Sequence, residues 1–266
     1  MLQFRSAAHT HVGLVRANNE DSGFAGPYLL IVADGVGGAA AGEVASSTAT
    51  YVAAALSMLG PVRGTDPLVL LGSSIDLAAR QLRAGVEADP ARAGMGTTLT
   101  AIATDGARCA IVQLGDSRAY LLRAGVLQQL THDHTLVQAL VDAGRISPEQ
   151  ARVSQHRNIV MRSLGTRQEP DPDLAWLDLE PGDRLLLCSD GLSDLVEDAL
   201  IAHRLASGDC QEAVEALVGD ALAAGGRDNI TCVAADVVEG PPIDSRGVLV
   251  GAVVDLGHVL DPVAVR

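Results

Sequence analysis

Four aspartates in this sequence stand at the ends of apolar runs, where a sheet edge could gather their carboxylates. Asp34 follows Tyr28–Ala33 (YLLIVA), and Asp190 follows Leu185–Cys188. Asp116 sits in the turn Leu114–Arg118 (LGDSR), and Asp228-Asn229 immediately precedes the β-branched run Ile230–Val238. Upstream, Arg16 is followed by Asn18-Asn19-Glu20-Asp21. Taken singly, an Asp-Gly or Gly-Asp pair is an ordinary turn, because Asp caps its own backbone and Gly supplies positive φ. Glu20-Asp21 alone is a solvated turn, and Arg16 alone a surface arginine. Together they suggest chemistry. Carboxylates crowded into one cleft raise one another's pKa values, and a bound cation relieves that repulsion. Oxygen-only ligands suit Mg²⁺ or Mn²⁺ rather than zinc. The pattern points to a metal-dependent hydrolase, on the condition that the fold brings these groups together.

The bulk properties narrow the field. The chain has 266 residues, of which 48% are hydrophobic and 20% charged, enough for one large domain with a real core. Aromatics are only 2%, which argues against stacking platforms for single-stranded nucleic acid. A formal charge of -14 repels a phosphate backbone, so no nucleic-acid partner is expected. All 19 basic residues are arginine, which removes lysine-dependent phosphate loops and Schiff-base chemistry while keeping a good phosphate fork. Cys109, Cys188, Cys210 and Cys232 are scattered, without disulfide or zinc spacing. Met1–Thr10 lacks the pattern of a signal peptide, and no stretch reaches the roughly 18 apolar residues of a membrane span. A cytoplasmic protein without membrane contact is expected.

The elements that must position the acidic groups follow from periodicity. Tyr28–Ala33 reads as a buried strand, Ala40–Met58 and Leu68–Val86 as helices. Thr97–Thr104, Ala107–Leu114, Arg118–Leu122 and Val126–Leu130 read as an antiparallel meander broken by turn residues. After a polar stretch, Asp133–Pro172, with a helical piece near Leu136–Ala143, strands return at Leu174–Leu179 and Arg184–Cys188. Helices near Glu197–Ala206 and Gln211–Ala224 precede the last strand, Ile230–Val238. Strand runs with paired helices, rather than strict alternation, predict stacked antiparallel sheets covered by helices, an α+β fold. Gly240-Pro241-Pro242 marks a break, dividing a domain over 1–239 from a tail over 240–266. The tail could add a strand, dock a partner or stay loose.

The motifs, in their order, resemble the protein phosphatase 2C family of metal-dependent phosphatases, in its compact bacterial form. The resemblance runs from about Ser6 to Val238 through Val12–Ser22 (VGLVRANNEDS), Ala33–Ser46 (ADGVGGAAAGEVAS), Gly94–Thr98 (GMGTT) and Leu114–Tyr120 (LGDSRAY). It continues through Leu130–Thr135 (LTHDHT), Pro181–Leu195 (PGDRLLLCSDGLSDL) and Gly226–Thr231 (GRDNIT). It implies a four-layer αββα sandwich and a serine/threonine phosphoprotein phosphatase that hydrolyses phosphomonoesters with water activated between two Mn²⁺ or Mg²⁺ ions. On the matching positions, Asp34 would bridge the two cations with the Gly35 carbonyl on one, and Asp190 and Asp228 would complete the other. Asp116 with Asp190 matches a third, weaker metal position. Glu20 and Asp21 would orient metal-bound waters, Asn229 would stand with them behind the ligands, and Arg16 would clamp the phosphate. Phosphoserine and phosphothreonine proteins, their Ser/Thr kinases, signalling work and a monomeric state are implied likewise. Asp133–Pro172 falls where the family carries a flap.

One position departs from the pattern. The family usually carries His after the Gly-Gly of the first Asp motif, as the acid that protonates the leaving alkoxide; here it is Ala39. Either turnover is slowed, or a metal-bound water or another residue serves as the acid, with His132, His134 and His156 in or near the flap region as conceivable donors. The alternative is a catalytically weakened phosphoprotein-binding adaptor. Retention of every carboxylate favours the enzyme. No cysteine-dependent phosphatase pattern is present, and Ser117, Ser189 and Ser193 are expected to be structural.

Overall fold

Apolar runs buried on both faces need partners above and below, and here they pair into two antiparallel sheets laid face to face. The computed structural model describes residues 1–36, 41–59, 65–165, 169–243 and 246–260. The strands are β1 (Leu2–His11), β2 (Asp21–Ala25), β3 (Leu29–Val36), β4 (Gly96–Thr97), β5 (Leu99–Thr104) and β6 (Cys109–Leu114). They continue as β7 (Arg118–Arg123), β8 (Val126–Gln129), β9 (Leu164–Gly165), β10 (Asp173–Leu177), β11 (Arg184–Cys188), β12 (Ile230–Glu239) and β13 (Val248–Gly251). The helices are α1 (Gly42–Leu59), α2 (Pro67–Ala88), α3 (Leu136–Asp142), α4 (Pro148–Arg152), α5 (Asp190–Ser193), α6 (Asp198–Leu205) and α7 (Cys210–Ala223). Among the described residues, no helix is long and apolar enough to cross a membrane.

One sheet runs β1-β12-β11-β7-β8; the other runs β10-β6-β5-β3-β2-β13, with β4 and β9 appended beside β3. The strand β11 explains its own composition. Leu185 and Leu187 enter the core between the sheets with Leu121, Val233 and Ala235. Leu186 and Cys188 turn the other way, under α6 and α7, with Tyr120, Val214 and Leu217. A strand covered on both faces reads as continuously apolar rather than alternating. The helices α1 and α2 cover the second sheet in the same way, over Ala33, Leu99 and Ala101. The result is the predicted αββα sandwich.

Local chemistry starts the helices. Asp66 accepts from Leu68 N at 2.9 Å and is followed by Pro67 at the first helical position of α2. Asp209 and Glu212 form a capping box at the start of α7. Within β12, Cys232 lies opposite Cys188 of β11, and all four cysteines are free and buried.

The sequence did not announce β1 or β2, and left an added strand as one of three fates for the tail. The segment LQFRSAAHTH of β1 is mostly half-buried and lacks a clean period, yet it pairs along its whole length with β12, from Leu2↔Glu239 to His11↔Ile230. Tertiary pairing supplies what propensity does not. In the tail, β13 adds to the edge of β2 with Val248 opposite Ala25. Val253 is fully buried, and Leu260 packs against the α1–α2 layer. Gln3 fastens the Pro-Pro break by donating to Pro241 O at 2.6 Å and accepting from Ile243 N at 2.8 Å.

Candidate metal centre

Each acidic candidate is delivered by the end of a core strand. Asp34 closes the apolar part of β3, in register with Asp21 of β2. Its backbone is gripped by the Gly-Thr-Thr motif: Thr98 Oγ1 accepts from Asp34 N at 2.9 Å, while Thr98 N and Thr97 Oγ1 donate to Asp34 O at 2.8 and 2.9 Å. Gly35 N donates to Glu20 O at 3.2 Å, and an added Cβ at Gly35 would meet that same oxygen at 2.7 Å. Only glycine allows this approach. Asp190 opens α5 just beyond β11, and Asp116 occupies the turn from β6 to β7.

Asp228 lies just before β12, where its Oδ2 accepts from Arg16 Nη2 at 2.7 Å and its Oδ1 from Asn229 N at 2.8 Å. Asn229 ties the Arg16 loop to this strand. Its Oδ1 accepts from Glu20 N at 2.8 Å, and its Nδ2 donates to Val12 O and Asn18 O, both at 2.9 Å.

These residues meet. Arg16, Glu20, Asp34, Gly35, Asp116, Asp190, Asp228 and Asn229 all line one cavity of about 180 Å³. Asp21 does not. It is fully buried, its Oδ2 accepts from Ser189 Oγ at 2.7 Å, and its Oδ1 has no partner. Its place in β2, opposite Asp34, puts it directly behind that carboxylate and on Ser189. Ser189 itself is structural, since it also accepts from Thr231 N at 3.0 Å.

The conceivable proton donors stand elsewhere. Neither His132, His134 nor His156 lines the cavity. His132 is drawn to Asp142 at 2.8 Å, and His134 is buried between Gly115 and Asp173. Ala39 lies outside the described residues. Two lining residues that the sequence did not single out, Asn158 and Val160, come from the polar stretch between α4 and β9. Its expected position beside the cleft was the only signal for them.

The electrostatics favour a cation. Burial, and then the charges of Asp21, Asp190, Asp116 and Asp228, push the Asp34 carboxyl well above its ordinary value. Burial and then Asp116, Asp194 and Asp228 do the same to Asp190. Burial, reinforced by Asp133, raises Asp116 to about 6. Burial raises Asp21 to about 7 against the opposing hydrogen bond from Ser189. Among the described residues, no three His, Cys, Asp or Glu side chains already form a closed cage for a metal ion. The donor set nonetheless fits. It is all oxygen, it carries unrelieved negative charge, and Mg²⁺-like ions keep several waters and take only one or two carboxylates each.

A pH dependence follows. Carboxyls raised in the folded state bind more protons there than in the unfolded chain. Their stabilising contribution is complete below the ordinary carboxylate range and is lost as pH rises through about 6 for Asp116 and about 7 for Asp21. In chelator, thermal unfolding should therefore occur at a higher temperature near about pH 5.5 than near about pH 8, and excess Mn²⁺ should abolish or reverse the slope. Equal midpoints in chelator across that range would contradict the crowding of these groups.

The profile of the Protein phosphatase 2C family matches residues 7–216. The serine/threonine protein phosphatase PstP of Mycobacterium tuberculosis is 48% identical over 253 residues, covering 95% of this chain and 48% of that protein. This chain thus spans about half the length of that curated relative. Protein phosphatase PhpP of Streptococcus pneumoniae is 35% identical over 234 residues, covering 84% of this chain and 93% of PhpP. The crystal structure of the PstP catalytic domain in complex with 2 manganese ions superposes with a TM-score of 0.83 at 47% identity, covering 90% of this chain and 100% of that one. The family match over most of the chain and the shared sandwich place it plainly: the chain belongs to the protein phosphatase 2C family.

Proposed function

We propose that this chain is a metal-dependent serine/threonine phosphoprotein phosphatase. The observation that carries this reading is the convergence of Arg16, Glu20, Asp34, Gly35, Asp116, Asp190, Asp228 and Asn229 on one cavity. Asp34, the carbonyl of Gly35, Asp190 and Asp228 would hold Mn²⁺ or Mg²⁺ ions, with Asp116 beside Asp190 as a further ligand. Bound there, such ions supply Lewis acidity, making water nucleophilic near neutral pH and neutralising phosphoryl charge.

The protein's own groups do the rest. Glu20 and Asn229 fix the loop that carries Arg16, through the Asn229 bonds described above. The Arg16 side chain is half exposed at the cavity and held by Asp228, where its remaining donors would take phosphate oxygens. Proteins phosphorylated by Ser/Thr kinases are the expected substrates, and a monomer in the cytoplasm, with its catalytic domain over 1–239, is the working state.

Two experiments bear on this. A phosphothreonine peptide should be hydrolysed in preference to a bis-aryl phosphodiester or a small metabolite phosphate; preference for the diester would replace the reading with a phosphodiesterase. Arg16→Ala should lower kcat/KM for the peptide by about 10–100-fold, the weight of a charge-assisted hydrogen bond, chiefly through KM. An unchanged KM would remove Arg16 from the phosphate site.

A further inference from the structure

Asp116 is only 7% exposed, and a backbone hydrogen bond within its own turn reaches its carboxylate. Its aim is set by the turn that carries it. On one side Ser117 holds that turn, with Oγ 2.8 Å from Thr98 Oγ1 and its carbonyl accepting from Thr100 Oγ1 at 2.7 Å. On the other side stands His134. Gly115 N donates to His134 Nδ1 at 3.2 Å, and His134 N donates back to Gly115 O at 3.0 Å. Gly115 has φ +111, and an added Cβ would meet Thr98 Cα at 3.2 Å, so this turn is held tightly in a conformation that suits glycine.

The far edge of the ring is used too. With Nδ1 accepting, Nε2 carries the proton and donates to Asp173 Oδ2 at 3.0 Å. Asp173 Oδ1 accepts from Arg162 at 3.1 Å, and His134 O accepts from Met161 N at 2.7 Å. Thr135 bridges to Val160, which lines the cavity together with Asn158. One buried imidazole thus connects the Gly115–Asp116 turn to the segment that forms another wall of the same cavity.

We propose that His134 is a positioning residue that sets the aim of Asp116 through Gly115 and fixes it relative to the Asn158–Arg162 segment. This rests on the reading of Asp116 as a cation ligand. Groups behind metal ligands typically change metal affinity by about 10–100-fold when lost.

Two substitutions separate the ring's two bonds. In His134→Asn the amide oxygen falls near the position of Nδ1 and can accept from Gly115 N, but nothing reaches Asp173. In His134→Gln the amide nitrogen falls near Nε2 and can donate to Asp173, but Gly115 N loses its acceptor. Mn²⁺ binding is followed by the paramagnetic resonance of free Mn²⁺, and the Gly115 amide by hydrogen exchange. His134→Gln should weaken the last Mn²⁺ bound by about 10–100-fold and speed Gly115 exchange, while His134→Asn keeps both near the parent values. Faster Gly115 exchange in His134→Gln with unchanged Mn²⁺ binding would overturn the proposal, as would equal loss of Mn²⁺ in both variants. Asp116→Asn is the control: if it binds Mn²⁺ like the parent, the assignment of Asp116 as a ligand fails, whatever the His134 variants do.

Discussion

Asp34→Asn should lower phosphate release by about 10²–10⁴-fold while making the metal-free protein more resistant to heat near about pH 8. The loss follows from its place. Asp34 is the carboxylate whose charge meets those of Asp21, Asp190, Asp116 and Asp228. A cation held there would supply several kcal/mol of stabilisation to developing charge, which converts to that range of rates. The gain follows from the same crowding, because a neutral amide removes a charge that burial and four neighbouring carboxylates oppose. Excess Mn²⁺ should stabilise the parent more than the variant. Enzyme assay and thermal unfolding with and without Mn²⁺ check both halves. Lost activity with lower stability in chelator would mark Asp34 as structural rather than a ligand.

Ala39→His should raise turnover of a phosphothreonine peptide by about 10²–10⁴-fold and leave an aryl phosphate nearly unchanged, the range that a general acid contributes. A serine or threonine alkoxide is a poor leaving group that benefits from a proton as it departs; an aryl oxide departs without one. A methyl group at position 39 cannot donate. None of His132, His134 or His156 lines the cavity, and His134 is committed on both ring nitrogens. The comparison is the ratio of peptide to aryl turnover in parent and variant. A ratio that does not move would mean that leaving-group protonation does not limit this enzyme.

Much of the site was legible because its residues sit where strong local signals end. The run LLLC of β11 is buried on both faces, so its end, and Asp190 beyond it, were marked by hydrophobicity alone. The same holds for Asp34 after β3 and for Asp228 before β12. What could not be read was direction. Glu20 and Asp21 are adjacent and chemically alike, yet β2 sends Asp21 onto Ser189 while Glu20 lines the cavity.

Edges were also opaque. The β1 segment carries no clean alternation, because its place is set by ten partners in β12, far along the chain. Asn158 and Val160 reach the cavity through the Thr135–Val160 bridge and the Met161–His134 bond, long-range contacts with no sequence period of their own. The Thr-Thr motif matched the family, but its role in gripping Asp34 needed the β3–β4 register, with Gly35 opposite Thr97.

Phosphate release from a phosphothreonine peptide, measured with Mn²⁺, then with excess chelator, then after Mn²⁺ is restored, tests the central claim most directly. Release that stops with chelator and returns with Mn²⁺ is the predicted result. Release that persists in chelator would contradict a metal-dependent site, and no release under any condition from folded protein would make the domain a phosphoprotein-binding module instead.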